Sequence, residues 1–224
     1  MLQTDLYVNQ VQRWPKDGQH ILAQFDDQGV VVYQAYRPAI GRFAAQHQYF
    51  GGEFKLSRMS WIKPNFLWMM YRCGWGVKPD QEVILAITIR REAFDFILEQ
   101  AVHSTFVADL YGSHDAWKQR LSTSPIRLQW DPDHDPYGTK QERRAIQLGL
   151  ADDVLRSYSR EWILKIEDVS AFVAQEREHV SRRSLTGLTI PREEVYPVRN
   201  TSVARHLGVT DRGNSTAKGV GSHE

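Results

Sequence analysis

Residues 55–76 read Lys55-Leu56-Ser57-Arg58-Met59-Ser60-Trp61-Ile62-Lys63-Pro64-Asn65-Phe66-Leu67-Trp68-Met69-Met70-Tyr71-Arg72-Cys73-Gly74-Trp75-Gly76. The stretch predicts a short strand, a turn and a helix. Pro64 suits the first helical position, where its missing N–H costs nothing. Gly74 suits the position just past the last turn, where φ > 0 is favoured. Ile62, Phe66, Met69 and Cys73 recur at the spacing of a core-facing helical stripe. A second line holds Trp61, Asn65, Trp68, Arg72 and Trp75. Arg58 and Lys63 flank the expected helix N-terminus, which already carries partial positive charge. Cations there are stabilised by an anion, so a bound phosphate or pyrophosphate is one expectation. The other is that both side chains turn away to surface carboxylates.

Working outward, residues 30–36 are β-branched and aromatic and predict a strand that ends in Arg37-Pro38. A helix is expected over about 38–48, and Gly51-Gly52 breaks the chain before the central stretch. Residues 83–89 are almost wholly apolar, as in a strand buried on both faces. A helix follows from Arg91 to about His103, then one capped by Ser113. Residues 126–130 alternate as a strand and open into an acidic loop, Asp131 to Gly138. Residues 142–150 fit strand or helix, with Gly149 and the preceding turn favouring a strand. Further elements are a helix at 152–158, a strand at 162–166, a helix from Asp168 to about Arg182, and edge pieces near 189–191 and 195–198. Strands and helices intermingle, so the expected class is α+β, a mixed sheet of about 5–7 strands with flanking helices. Residues 1–198 form one domain in this reading. Residues 199–224 are poor in apolar groups and are expected to be a disordered tail.

The 224 residues are 42% hydrophobic, enough for a substantial core. A net charge of +1 gives no global field towards nucleic acid or membrane, so an anion site must come from local clusters. The single cysteine, Cys73, excludes an intrachain disulfide and a cysteine-based zinc cluster, and its place on the apolar stripe predicts burial. No signal-like leader and no apolar run of roughly 20 residues is evident, which leads to the expectation of a cytoplasmic protein without a membrane partner.

Three clusters carry candidate chemistry. They are Tyr36-Arg37 at a strand end, Arg58 to Lys63, and Trp130 to Glu142. Asp131, Asp133, His134 and Asp135 combine carboxylates with an imidazole, a set that suits a divalent metal ion. The same residues suit a network that stabilises the turn, because Asp bonds backbone N–H groups two residues on. A third reading gives Asp133 and His134 direct catalytic roles. Glu142 could serve as a base or stabilise an oxocarbenium-like centre, or simply pair with Lys140 or Arg143 at the surface. No Gly-x-Ser-x-Gly, Walker lysine loop or His-Glu-x-x-His motif is present.

Tyr36-Arg37-Pro38-Ala39-Ile40-Gly41, Arg58-Met59-Ser60-Trp61-Ile62-Lys63-Pro64, Phe66-Leu67-Trp68-Met69-Met70-Tyr71-Arg72 and Gln129-Trp130-Asp131-Pro132-Asp133-His134 closely resemble the bacterial and fungal family catalogued as domain of unknown function 4291. That resemblance implies no activity. More weakly, the order of parts resembles the ADP-ribosyltransferase superfamily: a strand bearing Arg37, a serine-bearing segment from Ser57 to Ser60 leading into a helix, then Glu142 near a strand start. The resemblance implies NAD as cofactor, held by Arg37 with Ser60 ordering the site, and Glu142 stabilising the ribosyl cation. The chain departs from that pattern in lacking a Glu-x-Glu or Gln-x-Glu pair and in having Pro38 after the arginine.

The reading that follows is an NAD-dependent, ADP-ribosyltransferase-like enzyme acting on an unidentified acceptor, whether protein, nucleic acid or small molecule. Tyr36, Arg37, Arg58, Ser60, Trp61 and Lys63 would bind the cofactor, and Glu142, Asp133 and His134 would be catalytic. The alternatives are a metal-assisted hydrolase or nuclease built on the Asp131–His134 run, and a non-catalytic binder of nucleotides or RNA ends.

Overall fold

The computed structural model describes residues 2–210. Its centre is β5 (Val83–Arg90), flanked antiparallel by β3 (Gly29–Tyr36) and β9 (Ile163–Asp168). Successive side chains of a strand point to opposite faces, and here the two faces feed two separate cores. Val30, Val32, Leu85, Ile87 and Ile89 face the first; Val31, Tyr33, Ile84 and Ala86 face the second. This explains why residues 83–89 are apolar without alternation.

A second sheet runs in the order β4 (Ser60–Ile62), β8 (Lys140–Leu150), β7 (Ile126–His134), β6 (Val102–His103), with only the β6–β7 pair parallel. Its Ile62, Ile126, Leu128, Ile146, Leu148 and Leu150 close the first core from the other side. Helices α2 (Pro38–His47), α4 (Arg91–Gln100) and α7 (Asp152–Arg160) add Ala44, Phe94, Ile97, Leu98, Leu155 and Tyr158. Helices α3 (Phe66–Cys73) and α8 (Ser170–Ser181) cover the second core with Phe66, Leu67, Met69, Met70, Cys73 and Val173. The fold is therefore α+β.

Short pairs complete the edges. Strand β1 (Thr4–Leu6) pairs with β10 (Thr189–Pro191), and β2 (Leu22–Ala23) with β11 (Glu194–Val195). Helices α1 (Tyr7–Gln10), α5 (Ala108–Tyr111) and α6 (His114–Thr123) are peripheral, and Ser113 caps α6 by accepting from the Ala116 amide. No helix among the described residues is long and apolar enough to cross a membrane.

Four local expectations change. The Asp-Pro-Asp-His run is the end of strand β7 rather than a loop; the register shifts between Pro132 and His134, where proline cannot donate to the ladder. Helix α3 begins at Phe66, not Pro64, because the Asn65 side chain accepts from the Trp68 amide and caps it. Helix α4 stops at Gln100, and Val102–His103 turns into β6. Within the segment expected to be disordered, residues 201–207 form α9 (Thr201–Leu207), capped by Asn200 and anchored by buried Leu207, whose carbonyl accepts from Trp130 Nε1 at 2.8 Å. Residues 211–224 of that tail lie outside the described residues.

Candidate functional site

Tyr33 on β3 and Lys63 just past β4 exchange backbone hydrogen bonds, Tyr33 N to Lys63 O at 2.7 Å and Lys63 N to Tyr33 O at 3.3 Å. This bridge brings the end of one sheet against the edge of the other. Where the two diverge, a cleft of about 480 Å³ opens. Tyr36, Arg37, Arg58, Ser60, Trp61 and Lys63 all line it. Residues some twenty-five positions apart in sequence thus share one wall, because an antiparallel β3–β5 pair and the β4 edge both end there.

The floor is a hydrogen-bonded chain. Tyr158 Oη donates to Gln34 Oε1 at 2.7 Å, and Gln34 Nε2 donates to Ser60 Oγ at 2.8 Å and to the Trp61 carbonyl at 3.1 Å. Ser60 Oγ and Tyr36 Oη are 2.9 Å apart. Burial pushes the Tyr36 phenol above its ordinary pKa, against the pull of Ser60 and Gln34. Tyr36 also packs edge-on against Phe54, another lining residue. Trp61 lies across β8 opposite Gly149; a Cβ there would stand 2.6 Å from Met59 Sδ and 3.0 Å from the Trp61 ring. Glycine at 149 is what permits this close approach.

The charge in the cleft is one-sided. Arg37, Lys55, Arg58, Lys63 and Arg72 line it, with Glu53 and Asp80 as the carboxylates. Arg37 pairs with Glu53. Among the described residues, Lys55, Arg58, Lys63 and Arg72 have no carboxylate within ion-pairing distance. Lys63 is 6% exposed. Its Nζ lies 3.4 Å from the Trp61 carbonyl and 5.1 Å over the Trp68 ring. Burial, then the neighbouring Arg72, lowers its pKa to about 8.

The phosphate site expected at the N-terminus of α3 is filled by the protein itself. Glu193 Oε1 accepts from the Phe66 amide at 2.6 Å, and Asn65 Nδ2 donates to Glu193 Oε2 at 3.3 Å. Glu193 is 2% exposed, and burial pushes its carboxyl well above the usual range. The anion-binding opportunity therefore moves from the helix end to the cleft wall.

The three residues expected to be catalytic stand elsewhere. Glu142 is exposed on β8, seven residues from Gly149, or about 24 Å along the strand. It does not reach the cleft, and the order of parts that suggested an ADP-ribosyltransferase breaks at this residue. Asp133 is buried and pairs with Arg143 through Nε at 2.7 Å and Nη2 at 2.6 Å. Burial raises the Asp133 carboxyl, and the guanidinium opposes that. Arg143 also donates to the Pro15 carbonyl at 2.6 Å and faces the Trp14 ring at 5.2 Å. His134 stacks under Tyr71 with ring centroids 3.5 Å apart. Asp131 accepts from Gln129 and Gln147 at 2.8 and 2.7 Å. Among the described residues, no three His, Cys, Asp or Glu side chains come together to hold a metal ion. Asp131 and Asp133 are thus held in hydrogen bonds and an ion pair, while the ring nitrogens of His134 have no hydrogen-bond partner among the described residues.

Lys55, Arg72, Phe54, Gln34, Glu53 and Asp80 are among the lining residues that the sequence reading did not assign to a site. Lys55 and Arg72 stand at the two ends of the quoted stretch, where unmatched charge was their only signal.

The family described as Domain of unknown function (DUF4291) matches residues 20–196, and the chain belongs to it. The match contains every residue that lines the cleft. No curated protein matches the chain.

Proposed function

We propose that this member of the DUF4291 family binds a phosphate-bearing ligand of the nucleotide class in the cleft between the two sheets. One observation carries the reading: four cations without carboxylate partners converge beside Trp61, Phe54 and Tyr36 in one concave wall. Arginine and lysine supply charge-assisted hydrogen bonds to phosphate oxygens. Aromatic faces supply a stacking surface for a base, worth about 1–3 kcal/mol per base in comparable sites. A small acidic or neutral ligand would use only half of this wall.

NAD is the dinucleotide we propose as the first ligand to test. Arg58, Arg72 and Lys63 would hold its pyrophosphate, and Trp61 would stack on one ring. Transfer of ADP-ribose further requires a carboxylate near the ribosyl carbon that loses nicotinamide. Glu142 is too remote for that role; of the two lining carboxylates, Glu53 and Asp80, we propose Glu53, which pairs with Arg37. Titration calorimetry with NAD, ADP and pyrophosphate tests binding, and nicotinamide release tests turnover. Binding lost in Arg58→Ala and turnover lost in Glu53→Gln with binding kept is the expected pattern. Absence of binding at millimolar nucleotide would overturn the reading.

A further inference from the structure

We infer that Lys63 is the nucleophile of the cleft, an amine that captures phosphate esters carrying an aldehyde or ketone as an imine. The inference rests on the cleft being a phosphate site and adds the class of substrate.

Lys63 differs in kind from the cations around it. Arg58 and Arg72 are exposed guanidinium groups. Lys63 lies in the wall with its Nζ 3.4 Å from the Trp61 carbonyl and 5.1 Å over the Trp68 ring; among the described residues no carboxylate lies within ion-pairing distance, and Asp131 acts on it only from further away. Burial disfavours the ammonium, so Lys63 yields its neutral amine at a lower pH than an exposed lysine would. The amine thus belongs to a largely buried wall of a cleft whose guanidinium groups already suit a phosphate. Lysines activated by desolvation and a neighbouring cation are carbonyl nucleophiles. The depressed pKa of about 8 agrees with this placement.

The chemistry closes without a further reagent. The amine lone pair attacks the carbonyl carbon, the C=O π pair moves to oxygen, and a proton passes from nitrogen to that oxygen to give a carbinolamine. Loss of water then forms the C=N bond. The Ser60 and Tyr36 hydroxyls, 2.9 Å apart in the same wall, can carry the proton between nitrogen and oxygen.

The test uses the full chain with pyridoxal 5′-phosphate as probe, borohydride to trap any imine, and peptide mapping of the modified lysines. Lys63 is expected to be labelled in preference to the other lysines, and about tenfold more by the phosphorylated probe than by pyridoxal. Its labelling should rise with pH through a midpoint near pH 8 and level off about one pH unit above it. Lys63→Arg should lose the adduct. Suppression of the adduct by ADP supports both this inference and the nucleotide reading. An adduct at Lys63 that ADP and phosphate leave unchanged keeps the reactive amine and removes the phosphate site. Labelling confined to other lysines while ADP still binds overturns the inference alone.

Discussion

Helix α3 touches two groups of polar side chains that have opposite fates. Towards the cleft, Met69 and Arg72 help form a wall in which cations stand without carboxylate partners. On its other side, Asn65, Phe66 and Tyr71 meet Glu193 and His134, in a closed region that also holds Asp133 and Arg143. Both groups come from charged or titratable residues in short, distinctive motifs. The difference is charge pairing rather than full satisfaction, since the buried ring nitrogens of His134 have no hydrogen-bond partner among the described residues. Asp133 already has its guanidinium, and the α3 N-terminus already has a carboxylate. Their electrostatic capacity is spent within the fold. Of the cleft cations only Arg37 has an ion-pair partner among the described residues, so Lys55, Arg58, Lys63 and Arg72 retain capacity for a ligand.

The sharpest way to break this comparison is Asp133→Ala. If the pair with Arg143 is structural, stability should fall by about 3–5 kcal/mol, because a buried guanidinium is left uncompensated. Urea unfolding measures the loss, and the fraction still folded should bind nucleotide with unchanged affinity. A stable variant with lost activity would return Asp133 to a catalytic role.

Gly149→Ala links the two regions through strand β8. Its Cβ collides with Met59 and crowds Trp61, so about 1–3 kcal/mol of stability should be lost. Trp61 should move into the cleft, seen as a change in tryptophan fluorescence and weaker nucleotide binding. Retained binding would show that Trp61 is not part of the ligand wall.

Arg58→Ala should lower nucleotide affinity about tenfold while stability stays within about 0.5 kcal/mol, since the side chain is exposed and has no partner to strand. The same affinity should weaken with added salt, as expected for exposed charges. The smallest effect is assigned to Glu142→Gln. Binding and any turnover should match the parent, and stability should change by less than about 0.5 kcal/mol. A large loss of turnover there would require a rearrangement that brings β8 to the cleft.

Much of the fold was legible because it rests on local patterns. The unbroken apolar run of β5, the β-branched β3, the proline opening α2 and the serine capping α6 each act within a few residues. Helix α9 was missed for the opposite reason. Its sequence, Thr201–Leu207, is mostly polar, and it is held by an asparagine cap, the anchor Leu207 and a bond from distant Trp130. The candidate site was legible in its members and not in its exclusions. Tyr36, Arg37, Arg58, Ser60, Trp61 and Lys63 share the cleft, while Glu142 lies far along the strand and Asp133 and His134 are buried apart from it.

The amino-acid sequence by itself determined the α+β class, the serine cap of α6, the glycine stop of α3 and the two basic segments of the wall, because hydrophobic period, caps and turn residues act over short spans. Only the tertiary structure decided which charges are neutralised. Glu193 reaches the start of α3, and Arg143 reaches Asp133 from the neighbouring strand. Pairing of charges depends on distance in space, which strand register and packing set long after local propensity has finished acting.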